Sequence, residues 1–323
     1  MTGVNALALA GTGNGAEVLP LAGILLTGAL YARGHAALAR RSHRIGPRTS
    51  HRPGPRTSHR PGPGASHRPG PRRAAGFFSF FGGLLALTVA VVPPLGTWSH
   101  QLFAAHMVQH LLLMAIAPPL LVWGRPSQAL WAAASPPLRR RLHRLGRLPL
   151  LRWAARVGRN AVVVVGLSVV ALWGWHAPAL YQAALRNEAL HAAEHLCLFG
   201  TSLLLWRLVL GAPARHRHGQ AILSVFVSGL ASAALGALLT FSATVLYPVY
   251  AAGPPLFKLT LNLRWNLTPL EDQQLAGSIM WIPPGLLSLV TMVALAHAWL
   301  AEADRRSRRR EEAQRGPAAE GVG

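Results

Sequence analysis

The chain has 323 residues, is 51% hydrophobic and only 13% charged, and has a mean hydropathy of +0.30, a balance that excludes an ordinary soluble domain. Its formal charge of +22 would suit a nucleic-acid binder if the cations formed one face, but they lie in the loops between apolar runs, so no nucleic-acid partner is expected. The single cysteine, Cys197, excludes an intramolecular disulfide and any CxxC metal loop.

Seven apolar runs occupy residues 18–32, 77–93, 102–123, 160–176, 189–210, 220–246 and 274–300. Most are near the length of about 20 residues that crosses a bilayer core, and the first two are shorter. Residues 1–17 contain Glu17 and no Lys or Arg, so the first run lacks the basic start of a signal peptide and is expected to be retained. Four octapeptide copies rich in Arg, Pro, Gly and His then run from Ser42 to Arg73. Pro and Gly recur in every copy and none offers an apolar face, which predicts a disordered loop over 35–76. An expanded, positively charged linker outweighs a metal-collecting role for His43, His51, His59 and His67, or a grip on lipid headgroups by the arginines.

Lys and Arg number eleven in segment 33–76, nine in 124–159, three in 207–219 and six after residue 300, whereas the alternate connections hold only Arg186, Lys258 and Arg264. Positive charge collects in cytoplasmic loops. The alternation therefore predicts an all-α, polytopic membrane helix bundle of about seven transmembrane helices, with the N-terminus outside and the C-terminus cytoplasmic. The expected organisation is an outer segment with the first transmembrane helix (1–34), the octapeptide loop (35–76), a six-helix membrane core (77–300) and a basic cytoplasmic tail (301–323).

The second run leads to an outer turn that carries His100. The third opens with HMVQHLLLMAIAPP, in which His106, Met107, His110 and Met114 share one helix face at about 100° per residue. Pro118 and Pro119 are expected to kink that helix. The arginine-rich segment 124–159 reads as a solvated basic loop at the inner leaflet. The fourth run delivers His176 to the outer surface beside Trp173 and Trp175. The fifth opens with His191, Glu194 and His195, whose spelling H-x-x-E-H also matches an inverzincin zinc pattern, a soluble-protease signal that suits a membrane span poorly. The sixth carries Ser224, Ser228, Gly229, Ser232 and Gly236, a surface for close helix packing, and is followed by an outer loop with a sequon at Asn266. The seventh begins with Asp272 and Gln273, places Met280 on the face of Gln273, and contains Pro283 and Pro284, which are expected to kink it.

A histidine inside an apolar run is costly and marks function by default. Five of them, His106, His110, His176, His191 and His195, reach the same side from three runs, and Asp272 joins them from a fourth. Neutral imidazoles with Met107 and Met114 suit a soft metal, and the thioethers tilt the choice toward Cu(I) over zinc. Glu194, Asp272, Gln273 and Met280 are expected to support the ligands. Haem held by two histidines is the alternative cofactor. No nucleophile is paired with a base, so no enzyme is expected.

The strings HMVQHLLLMAIAPPLLVWGRP, GWHAPALYQAAL, HAAEHLCL and LTPLEDQQLAGSIMWIPPG resemble, in this order, the CtaG-type cytochrome c oxidase assembly factors, a family of bacterial integral membrane proteins. The resemblance covers residues 77 to 300. It implies a multi-pass protein of the bacterial plasma membrane needed to make active haem-copper oxidase, with a suspected role in copper supply. The first string carries His106, Met107, His110 and Met114, the second His176, the third His191 and His195, and the last Asp272, Gln273 and Met280. The octapeptide loop departs from the family pattern. The partners implied are oxidase subunits, a copper metallochaperone and the lipid bilayer. A bis-histidine haem protein for electron transfer, a copper transporter and a structural scaffold are the competing readings.

Overall fold

A computed structural model describes residues 18–44, 71–211, 218–251 and 267–315. Among the described residues every regular element is helical and no strand occurs. Eight principal helices are α1 (Val18–Arg44), α2 (Pro71–Val91), α3 (Phe103–Trp123), α4 (Ala161–Trp175), α5 (Pro178–Arg186), α6 (Glu188–Leu210), α7 (His218–Thr240) and α8 (Pro269–Arg315). Six of them are long and apolar enough to cross a membrane. A seventh span follows if the helix Pro149–Val157 and α4, bent by 85° at their join, count as one. Large apolar side chains such as Leu25, Phe78, Val162, Leu196 and Val290 lie exposed on these helices, as lipid-facing residues do. The expectation of a multi-pass all-α bundle holds.

Some boundaries differ from those the composition suggests. Helix α1 continues ten residues into the expected loop, to Arg44, because AALARR supplies strong helix formers and no proline. Helix α2 starts already at Pro71, a residue suited to a first helical turn. The repeats between these ends, with His51, His59 and His67, lie outside the described residues, as does Asn266 of the sequon. Helix α7 stops at Thr240, before the expected 246, and α8 runs without a break through much of the expected tail to Arg315.

Two compact units are formed. The first, Met1–Thr88 with Leu120–Arg152, contains α1, most of α2 and the short helix Pro126–Ala133. Tyr31 is 1% exposed there; its ring stacks on Phe80 at 3.8 Å and its hydroxyl donates to the Gly124 carbonyl at 2.8 Å. The second unit, Val89–Pro119 with Trp153–Gly323, holds every residue of the candidate site.

Within that second unit α7 and α8 pack closely at Gly236 and Gly277. A Cβ at position 277 would meet the Thr240 nitrogen at 2.6 Å and the Gly236 carbonyl at 2.7 Å, so only hydrogen fits between the two backbones. Gly229 and Gly236 of the sixth run therefore serve packing against α8.

The two proline pairs do not simply break their helices. Pro118 has no N–H, so the Met114 carbonyl loses its helical partner. Helix α3 widens into a π turn at Leu112–Ile116, and Ser202 Oγ and Trp206 Nε1 of α6 donate to the Met114 carbonyl instead. Pro284 frees the Met280 carbonyl in the same way, and Ser232 Oγ of α7 donates to it at 3.1 Å. Helix α8 stays continuous through Pro283 and Pro284. A freed carbonyl left without a partner in an apolar interior costs about 1–3 kcal/mol, which these side chains offset.

Candidate metal centre

Helices α3 and α6 build the centre from two four-residue spacings. His106 and His110 stand one turn apart on α3, and their Nε2 atoms approach to 2.9 Å. From α6, Glu194 Oε1 lies 3.6 Å from His110 Nε2 and 3.9 Å from His106 Nε2. These three edges define a triangle whose equidistant point is about 2.0 Å from each atom, a typical bond length for nitrogen and oxygen ligands to a metal such as zinc. His191 and His195 complete a second set with His106, with one ligand atom from each within 4.8 Å of the others. His106 belongs to both sets.

The surroundings are closed. His106 and Glu194 are 0% exposed and His110 is 4% exposed. Seven buried atoms here have no hydrogen-bond partner among the described residues: Nδ1 of His106 and His110, Nε2 of His176, His191 and His195, and both oxygens of Glu194. Buried polar groups in proteins are nearly always paired, and leaving one unpaired costs about 1–3 kcal/mol. A cation could satisfy several of these lone pairs at once, those of Glu194, His191 and His195 among them. The donor set of imidazoles plus one carboxylate fits a first-row metal.

His176 ends α4, and its ring lies 5.3 Å from that of His110. Its Nδ1 donates to the Leu172 carbonyl at 2.7 Å, which leaves the Nε2 lone pair free of its proton. Tyr247 fixes the same residue from the other side by donating to the His176 carbonyl at 2.6 Å. Tyr250 donates to Ser99 O at 3.2 Å, so the 2.7 Å contact between phenols has Tyr181 as donor. Burial raises the Tyr181 and Tyr250 phenols well above their ordinary pKa, and both stay protonated.

The other residues expected at the site separate into two groups. Asp272 and Gln273 are buried but act on the main chain. Asp272 accepts from Phe103 N at 2.8 Å and Ala104 N at 3.0 Å, while Gln273 accepts from Leu246 N at 2.7 Å and donates to Thr244 O at 3.0 Å. Asp272 thus caps α3, whose own N-cap, Leu102, offers no side-chain acceptor. Met107, Met114 and Met280 line a cavity of about 110 Å³ together with His110 and His176. Two neighbours were not singled out by the sequence. Exposed His100 places its ring 4.9 Å from His191, and Tyr181 stands 5.0 Å from His106. His100 lies in a turn, outside any helical spacing, and only its position on the same side as the other histidines pointed to it.

A family model described as cytochrome c oxidase caa3 assembly factor (Caa3_CtaG) matches residues 61–302, most of the chain. No curated protein and no solved structure matches it.

Proposed function

The chain belongs to the family of cytochrome c oxidase caa3 assembly factors, and from that premise we propose that it holds copper, as Cu(I), at the extracytoplasmic side of the bacterial plasma membrane and delivers it to oxidase subunits. A copper metallochaperone would be the donor or the next carrier. The role is accessory: the ion is cargo, exchanged between ligands, and no bond of a substrate is broken.

The observation that carries this reading is the triangle of His106 Nε2, His110 Nε2 and Glu194 Oε1, with His191 and His195 beside it. Ligand sets that overlap at one histidine favour transfer, because an incoming donor can replace one imidazole while others keep hold. The same geometry speaks against a haem held by His106 and His110 together. Nitrogens 2.9 Å apart on one helix face cannot hold opposite faces of a macrocycle, and the adjoining cavity of about 110 Å³ is small beside the roughly 300–1,000 Å³ of pockets for drug-sized ligands.

The test is copper content of detergent-purified protein, wild type beside His106→Ala/His195→Ala, with a visible spectrum of each sample and oxidase activity of membranes expressing each form. Bound Cu(I) in the wild type, lost in the variant together with active oxidase, is the expected result. A Soret band would transfer the site to haem, and a wild type without copper would overturn the reading.

A further inference from the structure

We infer that the cavity beside the histidine–carboxylate triangle is a second ion position, selective for a soft monovalent cation and supplied from the first. The inference rests on the copper reading above and divides its site in two.

The sequence holds five methionines including Met1, and three of them, Met107, Met114 and Met280, line this one cavity. They come from α3 and α8, and the backbones of two of them are held by side-chain donors from α6 and α7 at the carbonyls that prolines release. His176 also lines the cavity and is 2% exposed; its Nε2 has no partner among the described residues, and its Nδ1 is committed to Leu172 O. A carbonyl that fixes one ring nitrogen as donor leaves the other as a lone pair oriented for a metal. His110 belongs to both positions: its Nε2 is a corner of the triangle and its ring is part of the cavity wall.

Charge separates the two positions. The triangle contains Glu194, whereas no Asp, Glu, Lys or Arg lines the cavity among the described residues. Hydroxyl residues Ser168, Thr201, Ser202, Ser228, Ser232 and Ser288 make up the rest of its neutral polar lining. An ion entering it meets only neutral ligands, thioethers, imidazoles and hydroxyls, and the cost of burying charge in an apolar medium rises with the square of that charge. A divalent ion is therefore held at the carboxylate, while Cu(I) or Ag(I), soft and singly charged, gains thioether ligation on moving inward. The order of positions runs from exposed His100 through His191 and His195 to His106 and His110, and then to His176 and the methionines.

The experiment uses the full chain carrying Cys197→Ser, so that thioethers are the only sulfur. Cu(I) and Zn(II) stoichiometry and the copper X-ray absorption spectrum are measured with Met107, Met114 and Met280 intact and in Met107→Leu/Met114→Leu/Met280→Leu. Expected are about two equivalents of Cu(I) against one of Zn(II), with sulfur scattering, falling in the variant to one Cu(I) without sulfur. Leucine is close to methionine in volume, and unchanged Zn(II) binding reports an intact fold. Cu(I) bound by nitrogen and oxygen alone in the methionine-intact protein, or sulfur scattering that survives the three substitutions, overturns the second position and leaves the first standing. No Cu(I) bound to either form overturns both.

Discussion

Replacing Asp272 by alanine tests how the first ligand helix is held. The carboxylate accepts from the two leading amides of α3, Phe103 N and Ala104 N, at 2.8 and 3.0 Å, and is itself 5% exposed. Hydrogen bonds to a charged group contribute about 1.5–3 kcal/mol each, and the negative charge also faces the positive end of the helix dipole. Because Ala104 is only half-buried, the lower end of that range applies, about 3 kcal/mol for the pair. At about 2–4 °C per kcal/mol for a body of this size, the melting temperature in detergent should fall by roughly 6–12 °C. Asp272→Asn keeps one carbonyl acceptor and should lose about half as much. Cys197, half-buried in α6 and the chain's single thiol, lets a thiol-reactive dye follow the transition without further labelling. Copper affinity should weaken alongside, since His106 and His110 occupy the first two turns that Asp272 anchors. An Asp272→Ala protein that melts within about 2 °C of wild type would refute the capping argument.

Gly277→Ala should separate α7 from α8, since its Cβ would strike the Thr240 nitrogen and the Gly236 carbonyl, which are main chain and cannot rotate away. A loss of about 1–3 kcal/mol is expected from such overpacking, read as a lower melting temperature, while Gly285→Ala, with open space around it, should be neutral or slightly stabilising. Copper retention should fall with acidification, because every imidazole ligand must be neutral to bind and a proton competes for the same lone pair. The apparent Kd for Cu(I), measured by competition with a chelator, should be flat at neutral pH and rise on acidification; a Kd that improved on acidification would exclude histidine ligation.

Much of the architecture was legible because it rests on local regularities. Apolar run length and the placement of arginines gave the spans, and the four-residue spacing put His106 with His110 and His191 with His195 on shared faces. What spacing cannot give is which face meets which. Glu194 reads as an adjunct of its own helix, yet it closes a triangle with two histidines of another. Asp272 sits at the right end of the right helix to join that group, but the nearest unsatisfied donors are the amides of α3, and no feature of LTPLED reveals that they are adjacent. The methionines read as part of one ligand stripe with the histidines. Helix packing gathers them around a separate space instead, because the stripe faces α4, α6, α7 and α8 at once. The prolines were visible as interruptions, whereas their consequence depended on serines 88 and 48 residues away in sequence.

Those serines have a further effect on motion. A proline in a membrane helix ordinarily makes a hinge, since the chain lacks the bond that would resist bending there. Here each hinge is pinned from outside, at Met114 by Ser202 and Trp206 and at Met280 by Ser232. A serine releases its carbonyl by a single χ1 rotation, a motion of picoseconds to nanoseconds in unhindered side chains. Each joint is therefore stiff while its hydroxyl is engaged, and Met280, which among the described residues has no second donor like Trp206, is on the joint more easily unlocked. If the two sides of the bundle flex when an ion is taken up or released, α8 yields first.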